Sequence, residues 1–306
     1  MERRRPACNA IKFMRYQLER FLFWLVRILA GVTPRGAFLA AGRIFGRVAH
    51  LLDHRHRKVA YDNFAIAFPD ASSDEARQTI ISCYKFFGSY LFDMLTHFPK
   101  FRSERNEEFE FEGLEHLEKA YTRGKGVIIL TGHLGAWELM GMAHGSKGFA
   151  LGVIARRLDN PYLNVLLDTL RTSTGNFVIY KTEGFRPLLK AMTENKGIAM
   201  LIDQNVISDD RIFVDFFGKP ASTTPALALL KLKTDAALIP AFAIPVTGNR
   251  YRFVYKPPLE ISRTGDRKTD VKNLTQACTA VIEEQIRQNP FCWLWMHCRW
   301  KTRPEA

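Results

Sequence analysis

The residues best suited to chemistry lie in the run Val127-Ile128-Ile129-Leu130-Thr131-Gly132-His133-Leu134-Gly135-Ala136-Trp137-Glu138, where an apolar stretch meets a histidine and a carboxylate follows. Imidazole has an ordinary pKa of about 6.5 and accepts a proton near neutral pH. A general base of this kind needs a partner that fixes its tautomer. Glu138 is one candidate partner. Asp203, in Leu201-Ile202-Asp203-Gln204-Asn205, is the other. Five helical residues turn about 500°, which puts Glu138 some 140° off the face of His133 unless the helix breaks near Gly135. The choice between the two carboxylates stays open. Arg156 and Arg157, which close the run Val153-Ile154-Ala155, and Arg171 offer guanidinium forks suited to a phosphate or an oxyanion. Gln204, beside Asp203, joins them as a candidate substrate-binding residue. No metal site is indicated, because none of the histidines forms a His-Glu-x-x-His pattern with His133. The glycines build no phosphate loop either: Gly218-Lys219 is followed by Pro220 and lacks the upstream glycine of that motif.

Elements must bring these residues together. From about residue 125 the chain alternates short apolar runs with helical stretches: Val127 to Leu130, Leu151 to Ala155, Phe177 to Tyr180, Ile198 to Ile202 and Ala236 to Ile244. This texture predicts an α/β fold with a mostly parallel or mixed central sheet flanked by helices. In such a sheet, ligands gather beyond the carboxyl ends of the strands, where His133, Arg156 and Asp203 fall. Tyr251 to Tyr255 reads as a further, edge-type strand. Ahead of the body, Ser72 or Ser73 is expected to cap a helix that carries Asp74 and Glu75 in its first turn and stops at Pro99. The division is a helical, membrane-associating region over 1–105 and an α/β body over 106–306.

Net charge is +13, and residues 1–60 hold thirteen Lys and Arg against the acids Glu2, Glu19 and Asp53. A basic block suits nucleic acid or an anionic membrane, and the accompanying apolar pattern separates the two. Phe13, Phe21, Phe23, Trp24, Leu25, Ile28 and Leu29 lie among Lys12, Arg15, Arg20 and Arg27, as expected of an interfacial helix on an anionic membrane surface. Nucleic acid is not the expected partner. Arg27 interrupts an apolar run already well below the roughly twenty residues that span a bilayer. Arg3, Arg4 and Arg5 resemble the start of a signal peptide, but no persuasive cleavage site follows. Five cysteines with no C-x-x-C pair indicate a reducing, cytoplasmic compartment, and Cys292 and Cys298, set among tryptophans, are expected to be buried thiols.

Several blocks together resemble the bacterial lipid A biosynthesis acyltransferases, the late lauroyl- and myristoyl-transferring branch of the lysophospholipid acyltransferase superfamily. They are Asn63 to Pro69, Thr131 to Glu138 with its His-x4-Asp/Glu box, Arg157 with Asn160-Pro161-Tyr162 and Arg171, and Asp203-Gln204-Asn205. Phe213 to Gly218 with Ala221 to Pro225, and Trp293 to Lys301, complete the set. The last block departs from the family by carrying Cys298 where a second arginine is common. The resemblance implies acyl transfer from an acyl thioester, on acyl carrier protein or coenzyme A, to a hydroxyl of a glycolipid acceptor at the cytoplasmic face of the inner membrane. The thioester is a co-substrate and no cofactor is implied. His133 would be the catalytic base, with Glu138 completing its box and Arg171 and Asp203 matching other functional polar positions. Phe213, Phe216 and Phe217 are candidates for a chain-measuring pocket or for ordinary core. The alternatives are the same reaction on another glycolipid or phospholipid, or a non-catalytic protein that binds anionic lipid.

Overall fold

The computed structural model describes residues 5–97 and 109–304, so Pro99 and the division expected at residue 105 lie outside the described residues. Four helices open the chain: α1 (Arg5–Val32), α2 (Arg35–Leu52), α3 (His54–Ala67) and α4 (Ser73–His97). Ser72 starts α4 by a reciprocal capping box, its Oγ accepting from the Glu75 amide at 3.2 Å while the Glu75 carboxylate accepts from the Ser72 amide at 2.7 Å. The expected cap is therefore present. The break between α2 and α3 falls at Asp53, whose carboxylate accepts from the His56 amide at 3.1 Å. Packing of α2 on α4 depends on Gly46, since a Cβ there would lie 2.0 Å from the Tyr84 carbonyl oxygen. Along α1, Tyr16, Glu19, Phe23, Val26 and Ala30 form the half-buried stripe, whereas Phe13, Phe21, Trp24 and Ile28 are exposed. Among the described residues no helix is long and apolar enough to cross a membrane.

The body contains β1 (Phe109–Glu112), α5 (Leu114–Tyr121), β2 (Val127–Thr131), α6 (Trp137–Ser146), β3 (Leu151–Ala155), α7 (Pro161–Thr172), β4 (Phe177–Tyr180), α8 (Arg186–Thr193) and β5 (Gly197–Leu201). A hairpin of β6 (Ile212–Phe216) and β7 (Lys219–Thr223) follows, then α9 (Ala226–Thr234), β8 (Ala237–Val246), β9 (Arg250–Tyr255) and α10 (Arg267–Gln288). Seven strands form one sheet in the order β1-β9-β8-β2-β5-β3-β4, parallel except where β8 meets β9. The mixed α/β sheet expected from the alternation is thus observed.

β2 sits at the centre, between β8 and β5, and every one of its residues is buried. Its β-branched and aliphatic side chains alternate between two cores: Ile128 and Leu130 join the cluster with Phe64, Ile80, Ile282 and Trp293, and Val127 and Ile129 join the one with Leu117, Leu139 and Phe253.

Two expectations need correction. Residues 251–255 do not form an edge, because β9 pairs on its outer side with β1. That strand escaped notice since its Phe-Glu-Phe-Glu run is short and its carboxylates read as solvated, whereas Glu110 pairs with Arg250 and Arg252 of β9 at 3.2 and 3.0 Å. Cys292 is buried as expected, but Cys298 is exposed, because the chain turns Arg299 inward and its neighbour faces out. Of the two readings left open for the phenylalanine cluster, Phe216 and Phe217 take the core one, packing against Trp293 and Trp300.

Candidate active site

Strand register brings the two central groups together. β2 and β5 run parallel with Thr131 opposite Leu201, so the residues two positions beyond each strand, His133 and Asp203, emerge at the same level. Gly132 leaves room for the contact, since a Cβ there would lie 3.1 Å from Asp203 Oδ2. His133 Nδ1 lies 2.8 Å from Asp203 Oδ1, and the His133 backbone amide donates to Oδ2 at 2.8 Å. Trp293 Nε1 donates to the same Oδ2 at 2.8 Å. Burial of Asp203, only 2% exposed, would by itself raise its pKa. The His133 ring and the hydrogen bonds from His133 and Trp293 outweigh that and hold the carboxyl well below the usual carboxylate range. An ionised carboxylate only accepts, so the Nδ1 of a neutral His133 carries the proton and its lone pair is on Nε2. Among the described residues Nε2 has no hydrogen-bond partner.

Glu138 has a different partner. Gly135, at φ +66°, turns the chain against the Ala243 carbonyl, where a Cβ would lie 1.7 Å away, and α6 begins only at Trp137. Glu138 therefore stands in the first turn of α6, with its amide donating to the Tyr90 hydroxyl at 2.9 Å. Arg171 Nε donates to Glu138 Oε2 at 3.0 Å, and Nη2 donates to Oε1. Both side chains are largely buried. Burial alone would lower the Arg171 pKa; the Glu138 carboxylate reverses the sign and raises it. Of the two carboxylates left open by the sequence, Asp203 takes the histidine and Glu138 takes the arginine. A cavity of about 30 Å³ lies beside this pair, lined by Thr131, Trp137, Glu138 and Arg171 among others. The Trp137 ring meets His133 edge-on at 5.3 Å between centroids, linking the pair to the dyad.

The remaining sequence candidates are spread out. Arg156 is exposed, 3.9 Å from Asp159, and Arg157 lies over the Tyr180 ring at 3.7 Å. Gln204 contributes its carbonyl oxygen to Arg299 Nη1 at 3.2 Å. Among the described residues no three His, Cys, Asp or Glu side chains gather as metal ligands would.

A C-terminal clasp was not foreseen. Gly135 donates its amide to the Cys292 carbonyl at 2.8 Å, and Leu294 donates to the His133 carbonyl at 3.0 Å, so the segment after α10 is stitched onto the histidine loop. Asn63 anchors that segment from α3 by donating to the Trp295 and His297 carbonyls at 2.8 and 2.6 Å. Arg299, fully buried, donates to the Ser222 and Gln204 carbonyls and to Thr223 Oγ1, an internal tie between the clasp and the hairpin. The tryptophan-rich block was visible in the sequence; that one indole aims at Asp203 was not.

Fold and site together define an α/β protein with a histidine–aspartate pair at the ends of adjacent parallel strands. The chain belongs to the bacterial lipid A biosynthesis acyltransferase family, whose model matches residues 9–302. It is similar to a lipid A biosynthesis lauroyltransferase of Escherichia coli K12, 25% identical over 93% of this chain and 94% of that protein. A lipid A biosynthesis acyltransferase of Haemophilus influenzae is 23% identical over 88% of this chain and 84% of its own length. A phosphatidylinositol mannoside acyltransferase of Mycobacterium tuberculosis H37Rv is 27% identical over 61% of this chain and 58% of its own. The protein is thus an acyltransferase of the lipid A biosynthesis type.

Proposed function

We propose that the protein transfers a fatty acyl chain from a thioester, on acyl carrier protein or coenzyme A, to a hydroxyl of a lipid A precursor, with His133 as general base. The observation that carries this is the Nδ1 contact of His133 with a buried, ionised Asp203 at 2.8 Å, which puts the lone pair on Nε2. His133 Nε2 takes the proton of the acceptor hydroxyl as its oxygen attacks the thioester carbonyl carbon. The tetrahedral intermediate collapses, the carbon–sulfur bond breaks, and the departing thiolate receives the proton from His133. Asp203 holds the ring in one tautomer and stabilises the imidazolium while it carries the proton. No covalent acyl-enzyme and no cofactor take part. The Glu138–Arg171 pair shapes the wall next to the dyad, and Arg156, Arg157 and Gln204 are assigned to acceptor contacts on the strand-end face. The basic, apolar α1 lies on the anionic cytoplasmic face of the inner membrane, where such an acceptor is embedded.

A second reading keeps the reaction and changes the acceptor to another glycolipid, favoured by the similarity to the mannoside acyltransferase. Mass spectrometry of lipid extracts from cells with the protein, without it, and with His133→Ala decides. A glycolipid heavier by one acyl group only with the intact protein is expected, and its fragments identify the acceptor. Removal of a general base costs about 10² to 10⁴ in rate. Appreciable transfer by the alanine variant would remove His133 from its role.

A further inference from the structure

A second cavity lies away from the dyad, between α1, α4 and α7, with a volume of about 180 Å³. Phe23 and Arg27 of α1, Met94 and Leu95 of α4, and four leucines of α7 from Leu163 to Leu170 line it. Arg27 is the one charged residue in that lining. The rest of the lining is apolar, and apolar cavities of about 150 Å³ accept small hydrocarbons, so a hydrocarbon guest suits this one.

Its position is informative. On α4, Tyr90 touches the Glu138 amide, and Met94, one helical turn of about 5.4 Å further on, lines the cavity. On α7, Arg171 pairs with Glu138 while its neighbour Leu170 lines the cavity. The space therefore lies about one turn from the wall beside the dyad. Its outer side is α1, which touches α7 earlier, where Gln17 donates to Tyr162 at 3.0 Å, Asn160 donates to Glu19 at 2.8 Å, and Arg20 lies over the Tyr162 ring. The other faces of α1 expose Phe21, Trp24, Leu25 and Ile28. A chain leaving the bilayer beside α1 meets this cavity without crossing water, and Arg20 and Arg27 line its approach with the charge that complements a phosphorylated headgroup.

We infer that the α1–α4–α7 cavity holds one of the acyl chains already present on the glycolipid acceptor, and so positions the acceptor hydroxyl at His133. This rests on the reaction proposed above. A donor chain, presented on a soluble carrier, does not arrive along the bilayer face of α1.

The test uses the full chain in detergent micelles with Leu167→Trp, which fills the cavity, and Leu166→Trp as a second filling variant. A phosphorylated disaccharide bearing four long acyl chains is compared with the same disaccharide bearing only short, four-carbon chains, which cannot fill the cavity. Denying burial to roughly two methylenes should raise KM for the long-chain acceptor about tenfold. KM for the short-chain acceptor and the preference among donor chain lengths should stay unchanged. Equal losses on both acceptors would overturn the inference, as would a shift in donor chain preference. Separately, a four-chain glycolipid with a diazirine at a chain end should photolabel residues 163–170, and labelling should fall in Leu167→Trp. Labelling is read without turnover: failure of the unaltered protein to transfer would count against the proposed reaction, and labelling indifferent to the tryptophan would count against the cavity.

Discussion

The carboxylate of Asp203 receives three hydrogen bonds, from the His133 ring, the His133 amide and the Trp293 indole, and each restrains a different degree of freedom. The amide fixes the carboxylate against the strand end, the ring contact selects the tautomer, and the indole anchors the clasp to both. A hydrogen bond to a charged acceptor is worth about 1.5 to 3 kcal/mol. Because Asp203 has a folded-state pKa below its unfolded one, it stabilises the fold fully above the ordinary carboxylate range and loses that contribution as pH falls below it. Trp293→Phe keeps the ring and deletes the donor, so the folded-state pKa of Asp203 rises toward its ordinary value. The acid midpoint of unfolding should then move to higher pH, and transfer at neutral pH should fall by about tenfold, the loss of one such bond. Circular dichroism during acid titration reads the first effect, and an unchanged midpoint would show that the indole only fills space. His133 was legible in the sequence because an apolar strand ran into it. Which carboxylate serves it was not, because that depends on β2 pairing in register with β5 across intervening chain, a long-range fact that no local spacing encodes.

At the scale of elements, the histidine loop is held from two sides. The clasp after α10 bonds one side, and on the other α6 is tied to α7 by Glu138 and Arg171 and to α4 by Tyr90. Both members of the ion pair are largely buried, so removing one leaves an uncompensated charge, a loss of about 3 to 5 kcal/mol. Arg171→Met should therefore lower the melting temperature strongly, whereas Arg171→Met with Glu138→Gln should recover most of it. If activity returns with stability, the pair acts as a brace; if stability returns and activity does not, the guanidinium contacts substrate as well. A double variant no more stable than Arg171→Met would show that Glu138 tolerates burial alone. The elements themselves were readable to different depths. β3 and β4 coincide with the apolar runs that mark them, because each is a short run of apolar residues bounded by polar turns. β1 was missed because its alternating glutamates are neutralised by arginines of β9, a pairing visible only in three dimensions.

On the whole molecule the proposed reaction requires the His133–Asp203 pair and the basic N-terminal region to act on one amphiphile, and α1, packed on α4 and α7, is the element that would link them. Its half-buried stripe packs toward α4 and α7, and its remaining circumference is apolar side chains with interspersed cations. α2 adds the exposed Ile44, Val48 and Leu51, together with Phe45, which is half exposed beside Phe92 of α4, and Arg55 and Lys58 lie just beyond its end. Contiguous exposed apolar surface flanked by positive charge matches the boundary between acyl chains and anionic headgroups, and it is a poor match for nucleic acid, which offers no hydrocarbon. The full chain should therefore bind vesicles containing anionic lipid, lose much of that binding as salt rises, and show no comparable affinity for DNA. Trp24 and Ile28 are exposed, so Trp24→Glu with Ile28→Glu leaves internal packing intact. At roughly 1.5 kcal/mol per apolar side chain kept out of the bilayer, partitioning should weaken about 100-fold. Transfer to a bilayer-embedded acceptor should fall in parallel, while transfer to the same acceptor dispersed in detergent should persist. Undiminished vesicle binding by the double variant would mean that α1 lies against protein instead of lipid, and α2 alone would then have to carry the membrane contact.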